Sequence, residues 1–258
     1  MAESLPTVGV TRYVAPLREG GSLPGIVEAE DLGTYVCKFH GAGQGTKVLV
    51  AEVVVGQLAS RLGIRTPELV LLRLDETIAK YEADEEVQDL LTASVGLNLG
   101  VDFLPGSFGY DSGCAPDPDL AARILWLDAF TANVDRSWRN PNLLVWHKQL
   151  WAIDHGAALY FHHGWPNGVG SPGRFAAQPY DASEHVLAGH ADRVRAVDAE
   201  LTAAITPELV AEVLALVPEP WLEPVPGATT AEALRATYAE FLLARVHGDR
   251  GWLPGGAA

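Results

Sequence analysis

The sequence predicts an α+β protein in two lobes, a small β-rich N-lobe over residues 1–104 and a mainly helical C-lobe over residues 105–258. Three observations carry that reading. Short β-type runs crowd the first hundred residues, and capped, apolar-periodic helix patterns dominate the second half. A length of 258 residues with 48% hydrophobic content is enough to bury the cores of two lobes.

The elements follow in order. β-type runs at 11–14, 26–30 and 34–39 lead into a glycine-rich turn, Gly41 to Gly45. Thr46 to Leu62 then places Val48, Ala51, Val55, Leu58 and Leu62 on one face of an amphipathic helix. Gly63 follows as its C-terminal cap, with Arg61 in the last turn where a cation suits the helix dipole. A strand over Leu69 to Leu74 comes next, and Asp84-Glu-Glu opens a short helix that reaches Leu91. Val95 to Leu104, released by Pro105-Gly106, reads as the connection between the lobes. Asp117-Pro-Asp119 starts a helix over Leu120 to Ala132 that is apolar nearly all round and therefore buried. Leu143 to Trp146 and Leu150 to Ile153, separated by His147-Lys148-Gln149, form a hairpin. Residues 157–177 are rich in Gly, Pro, His and aromatic residues, the composition of a substrate-binding loop in which Ser171 is a candidate phosphorylation site. Thr206-Pro207-Glu208 and the capping box Thr229-x-x-Glu232 mark two later helix starts, the second helix ending near Gly248.

The chemistry centres on the hairpin. Asp154 ends an apolar run and is followed by His155-Gly156, while Asp135 and Asn140 precede the first strand in the spacing Asp-x-x-x-x-Asn. Folding the hairpin brings these three to one mouth. An ionised carboxylate beside so much apolar surface costs roughly several kcal/mol unless a cation or donors meet it. Two carboxylates and an amide suit Mg²⁺, which shares its shell with substrate phosphates. Asn142 is an alternative to Asn140, and the six-residue spacing favours Asn140. In the N-lobe, Lys38 on a β-run and Glu52 on the next helix have the order of the ion pair that positions ATP phosphates in kinases. Gly20, Gly21 and Ser22 offer backbone N–H groups and a hydroxyl to phosphate oxygens, although neither a Walker sequence nor G-x-G-x-x-G is present. The backbone of 95–104 would bond the adenine edge, with Leu99 or Phe103 packed on the ring.

The segments DRSWRNPNLLVW and LWAIDHG resemble the catalytic and metal-binding loops of HipA-like kinases, especially their compact actinobacterial branch, and more distantly those of type II phosphatidylinositol 4-kinases. The region from Lys38 through Ile64-Arg-Thr-Pro67 resembles the same family. The resemblance implies a two-lobed protein-kinase-like fold and transfer of the ATP γ-phosphoryl group, with Mg²⁺, to a hydroxyl acceptor on a protein or small molecule. It implies Asp135 as catalytic base, Asn140 and Asp154 as metal ligands, and Lys38, oriented by Glu52, on the α- and β-phosphates. One departure stands out. Many members carry a His two residues after the catalytic Asp, where this chain has Ser137.

Two rival functions share these residues. One is an inactive kinase-like module that holds nucleotide as a signal; the other is a metal-dependent hydrolase using Asp135, Asp154, His155 and His163. His162 and His163 read as solvated loop residues, Cys37 as a small buried hydrophobe, and Trp138 and Trp165 as candidates to stack on a substrate. A net charge of −15 argues against nucleic acid or an anionic membrane as the main partner. No apolar run is long enough to span a bilayer, and Met1-Ala-Glu-Ser-Leu-Pro lacks the features of a signal peptide. Two cysteines without a disulfide pattern suit a reducing cytoplasm.

Overall fold

The computed structural model describes residues 4–17, 23–80, 82–111 and 113–255. These divide into two compact units, a smaller one of Ser4–Leu49 with Pro67–Pro105, and a larger one holding the remaining described residues, with Val50–Thr66 among them.

The smaller unit is a closed barrel of five strands, β1 (Thr7–Pro16), β2 (Gly25–Ala29), β3 (Thr34–Lys38), β4 (Leu69–Leu74) and β5 (Gly96–Asp102), in the order β1-β2-β3-β5-β4. The ring closes where β1 pairs with β4 in parallel, Thr7 opposite Leu71; every other pairing is antiparallel. Strand alternation sends Val27, Cys37, Val70 and Leu72 into one core, and burial pushes the Cys37 thiol pKa up. The stretch expected to link the lobes is instead β5, paired on both sides. Its glycine explains the misreading: a Cβ on Gly100 would come within 2.7 Å of Val70 Cγ2 and 2.8 Å of Leu72 Cγ, so only glycine fits between those side chains. Two short helices add to this core. Helix α3 (Glu85–Ala93) is capped by Asp84, whose carboxylate accepts from Glu86 N and Val87 N, and contributes Val87 and Leu91.

Helix α1 (Thr46–Arg61) runs across the division between the units, and α2 (Glu76–Lys80) follows β4. Amphipathic patterning understates α1. Every residue from Leu49 to Gly56 is buried, Glu52 included, because its valine-rich run is apolar on all sides. It ends as expected: Gly63 takes φ +75°, and Ile64 N bonds Ala59 O at 2.9 Å.

In the larger unit, α4 (Pro118–Thr131) is buried along almost its whole length and is capped by Asp117, which accepts from Asp119 N and Leu120 N. A three-stranded sheet follows, with β6 (Phe108–Gly109) beside β7 (Leu143–Trp146) and β7 beside β8 (Gln149–Ala152). The hairpin turn is tighter than expected. Trp146 pairs with Gln149, and only His147 (φ 47°) and Lys148 (φ 63°) lie between them, the left-handed pair that matches strand twist. Helices α5 (Pro172–Ala177), α6 (Val194–Ala204), α7 (Pro207–Ala215) and α8 (Ala231–His247) complete the unit. Thr206 caps α7 through Leu209 N, whereas α8 is capped by Thr230, one residue later than the capping-box pattern suggested.

The loop-like composition of 157–177 is misleading. Tyr160–Asn167 is a 3₁₀ helix, and Phe161, Trp165 and Phe175 pack with Tyr238 and Phe241 of α8. Trp165 is therefore core and not a substrate platform. His162 is not solvated either: it is buried, its Nδ1 2.9 Å from Tyr238 Oη.

Candidate active site

The site begins with how α4 ends. Ala132 adopts a left-handed conformation (φ 53°) and turns the chain back, so that Asn133 N donates to Asp128 O at 2.8 Å and Asn133 Nδ2 to Asp128 Oδ1 at 2.9 Å. Asn133 Oδ1 in turn accepts from Asp135 N at 3.1 Å. The loop that carries Asp135 is thus anchored on a buried carboxylate one turn back in the helix.

Asp128 is fully buried, and besides Asn133 on its Oδ1 it holds two further partners. Its Oδ2 accepts from Arg136 Nε at 2.6 Å and lies 3.0 Å from His185 Nε2. Because His185 Nδ1 accepts from Leu187 N, the ring proton belongs on Nε2, facing Asp128. Burial alone would push the Asp128 pKa up; the Arg136 charge and the His185 bond outweigh it and hold the carboxyl well below its ordinary range. Arg136 extends the network outward. Its Nη1 donates to the carbonyl oxygens of Asn142 and of Ile153, the latter at 3.1 Å, and its Nη2 lies 3.3 Å from His155 Nδ1. Asn142 stands just before β7 and Ile153 just after β8. One guanidinium therefore ties the Asp135 loop to both ends of the hairpin, with the fixed fork geometry that lysine lacks.

On this base Asp135, Asn140 and Asn142 come together. Asp135 Oδ2 accepts from Asn140 Nδ2 at 2.8 Å and from Asn142 Nδ2 at 3.4 Å. Ser137 closes the small loop: its N donates to Asn140 O at 3.1 Å and its Oγ accepts from Asn140 N at 3.3 Å. Asn142 is left-handed (φ 47°), a conformation asparagine tolerates, and its carbonyl also receives Ile153 N at 3.0 Å. Asp154 follows Ile153 directly, is itself left-handed (φ 53°) and stands exposed at the hairpin exit. Two left-handed non-glycine residues at one loop junction are the kind of backbone outlier found where a side chain must be aimed.

In the smaller unit, Lys38 is the last residue of β3 and stands directly opposite Leu99 on β5. Alternation places both on the face away from the barrel interior, so they are neighbours on one surface of the β3–β5 pair. The amides of Asp102 and Phe103 are already taken, by Glu68 O and Thr34 O, which removes them as donors to an adenine edge. Past Lys38 the turn is clamped: His40 N donates to Asn98 Oδ1 at 3.0 Å and Gly41 N to Ser94 Oγ at 3.2 Å. Glu52 belongs to the larger unit and is buried in α1. Gly20, Gly21 and Ser22 lie outside the described residues.

The donor set suits a hard cation. Asp135 and Asp154 offer carboxylate oxygens, and Asn140, having given its nitrogen to Asp135, keeps its amide oxygen for a ligand role. A site built from His is disfavoured. His155 Nδ1 is directed at Arg136, and among the described residues no three His, Cys, Asp or Glu side chains gather as a metal-binding group. Sequence reasoning missed Asp128, Arg136 and His185. The signal was present in part: a carboxylate inside a helix apolar on every side demands a buried cation.

A family model described as HipA-like kinase matches residues 10–253. The fold is similar to that of a Helicobacter pylori proinflammatory kinase, CtkA, with a TM-score of 0.52 at 11% identity over 94% of this chain and 97% of that one. Two structures of the Golgi casein kinase, one with Mn/ADP bound, align at 14% identity. They cover 96% and 97% of this chain and 74% and 76% of those chains, with TM-scores of 0.43 and 0.46. No protein of curated function matches the sequence. At these identities the likeness to solved structures is one of fold, and that fold is the mixed α+β fold of kinases.

Proposed function

The chain belongs to the HipA-like kinase family, and on that premise we propose that it transfers the γ-phosphoryl group of ATP, bound with Mg²⁺, to a hydroxyl acceptor. The observation that carries the reading is the hydrogen-bonded group of Asp135, Asn140 and Asn142, tied by Arg136 to the hairpin exit at which Asp154 stands. Asp135 accepts the acceptor's hydroxyl proton as that oxygen bonds to the γ-phosphorus and the bridging oxygen leaves with ADP. Asn140 and Asp154 hold Mg²⁺, which when bound neutralises charge on the phosphate oxygens. Lys38, oriented by Glu52, pairs with the α- and β-phosphates, and Phe103 packs on the base; Leu99 has no exposed surface and serves the packing beside Lys38 instead of the base. Positioning and charge neutralisation supply most of the rate, since phosphoryl transfer asks little covalent chemistry of the protein.

The reading is tested with γ-labelled ATP and Mg²⁺. Asp135→Ala should lower turnover ~10²–10⁴-fold, the range general-base transfer contributes. Asp154→Asn should weaken Mg²⁺-dependent nucleotide binding in calorimetry while leaving the fold intact. Unchanged turnover in the first variant, together with unchanged binding in the second, would refute the assignment.

A further inference from the structure

The larger unit contains a cavity of ≈ 330 Å³ whose wall includes Val134, Arg136 and Ser137. Asp135, the residue assigned as catalytic base, lies in sequence between two of these lining residues and shares their loop, although it is not itself part of the wall. Its opposite wall carries Tyr180, Asp181 and Glu184. The two walls are fixed to one another. Tyr180 Oη donates to Asn133 O at 2.9 Å, and Ser137 forms an antiparallel bridge with His185. A cavity held this way exists before any ligand arrives, which lowers the ordering cost of binding.

Its surroundings are unusual for a protein surface. Val134 is 67% exposed, Tyr160 on the cavity wall 63%, and Trp138, next to Ser137, 60%. Large apolar residues left in water together, rimmed by polar groups, mark an interaction site. The rim is acidic. Asp181 is exposed, and the Ser183 backbone bond holds its carboxyl below the usual range; Glu184 accepts from Trp138 Nε1 at 3.0 Å. The one cation in the wall, Arg136, is neutralised by buried Asp128, and Arg139 lies over the Trp138 ring at 4.3 Å. The volume is at the low end of ligand pockets, roughly 300–1,000 Å³, enough for one or two side chains.

Resting on the kinase reading above, we propose that the acceptor is a serine or threonine in an extended protein segment that puts an apolar side chain into this cavity and a Lys or Arg against Asp181 and Glu184. The phosphorylated hydroxyl then reaches Asp135 because the cavity wall and the base share one loop. Charge complementarity selects the partner: an acidic mouth on a chain of net charge −15 repels acidic segments and favours basic ones.

The test is a peptide library with a central Ser, an apolar neighbour, and either Lys/Arg or Glu at the flanking positions. Rates are read as the ratio of basic to acidic peptides, so that changes in overall activity cancel. The full chain should favour basic peptides by roughly five- to tenfold, the scale two exposed ion pairs supply. The double substitution Asp181→Lys, Glu184→Lys should invert the ratio. Both sites are exposed, and a thermal melt checks that the variant is folded. A ratio near one, a ratio unmoved by charge reversal, or transfer to small-molecule hydroxyls with none to peptides overturns the proposal and leaves the kinase reading standing. Absence of ATP turnover with every acceptor and with water overturns both.

Discussion

Replacing Arg136 by Gln should destabilise the larger unit more than any surface change. The Arg136–Asp128 pair is 2.6 Å long, with 0% side-chain exposure on either partner, so no solvent screening softens its loss. Removing one partner of a buried pair costs about 3–5 kcal/mol, because the other charge is stranded. The Ile153 carbonyl loses a donor as well, at about 1 kcal/mol. His185 Nε2 remains on Asp128 and moderates the sum toward the lower end. Against a total stability of roughly 5–15 kcal/mol, this is a severe loss. Adding Asp128→Asn removes the stranded charge, so the double variant should recover part of the deficit, with a coupling of about 2 kcal/mol. Urea unfolding of the wild type, both singles and the double variant measures it, provided the slope stays constant. A loss below about 1 kcal/mol for Arg136→Gln, or additivity within about 0.5 kcal/mol, would show that the network does not act as one unit.

Acid should expose the same pair. The Asp128 pKa is depressed in the fold, so its contribution is complete above the ordinary carboxylate value of 3.8 and is lost as the pH falls from there toward the folded value. The stability gap between wild type and Asp128→Asn should narrow below about pH 4, and a gap constant from pH 6 to pH 3 contradicts it. In the smaller unit, a Cβ on Gly41 would come within 2.6 Å of Ala93 O, a backbone atom that cannot swing aside. Gly41→Ala should cost about 1–3 kcal/mol by overpacking, measured by thermal unfolding; a neutral effect would mean that the turn after Lys38 is not clamped as described.

What could be read from the sequence was local. Asp84, Asp117 and Thr206 cap the helices they precede, and Gly63 ends α1, because each signal acts within five residues. The Asp-x-x-x-x-Asn spacing and the hairpin were legible for the same reason, and the contact between Asn140 and Asp135 is their direct result. β5 was misread because Gly96, Asn98 and Gly100 look like a linker. The close approach of Val70 and Leu72 that makes Gly100 necessary, and the turn at His40 that Asn98 holds, lie far away in the chain. Distance also hid His185 from Asp128 and Tyr238 from His162. Composition misled at Trp165, since loops and aromatic cores use the same residues until the facing helix is known.

The parallel seam between β1 and β4 has a colloidal consequence. Among the described residues every strand of the ring has a neighbour on each side, with Thr7, Val8 and Gly9 sealing β1 against β4, so the smaller unit leaves little unpaired ladder on which a copy could template itself. A protein that docks around most of this ring must grip side chains and turns, since a borrowed strand finds a partner edge only where β1 runs on past Gly9.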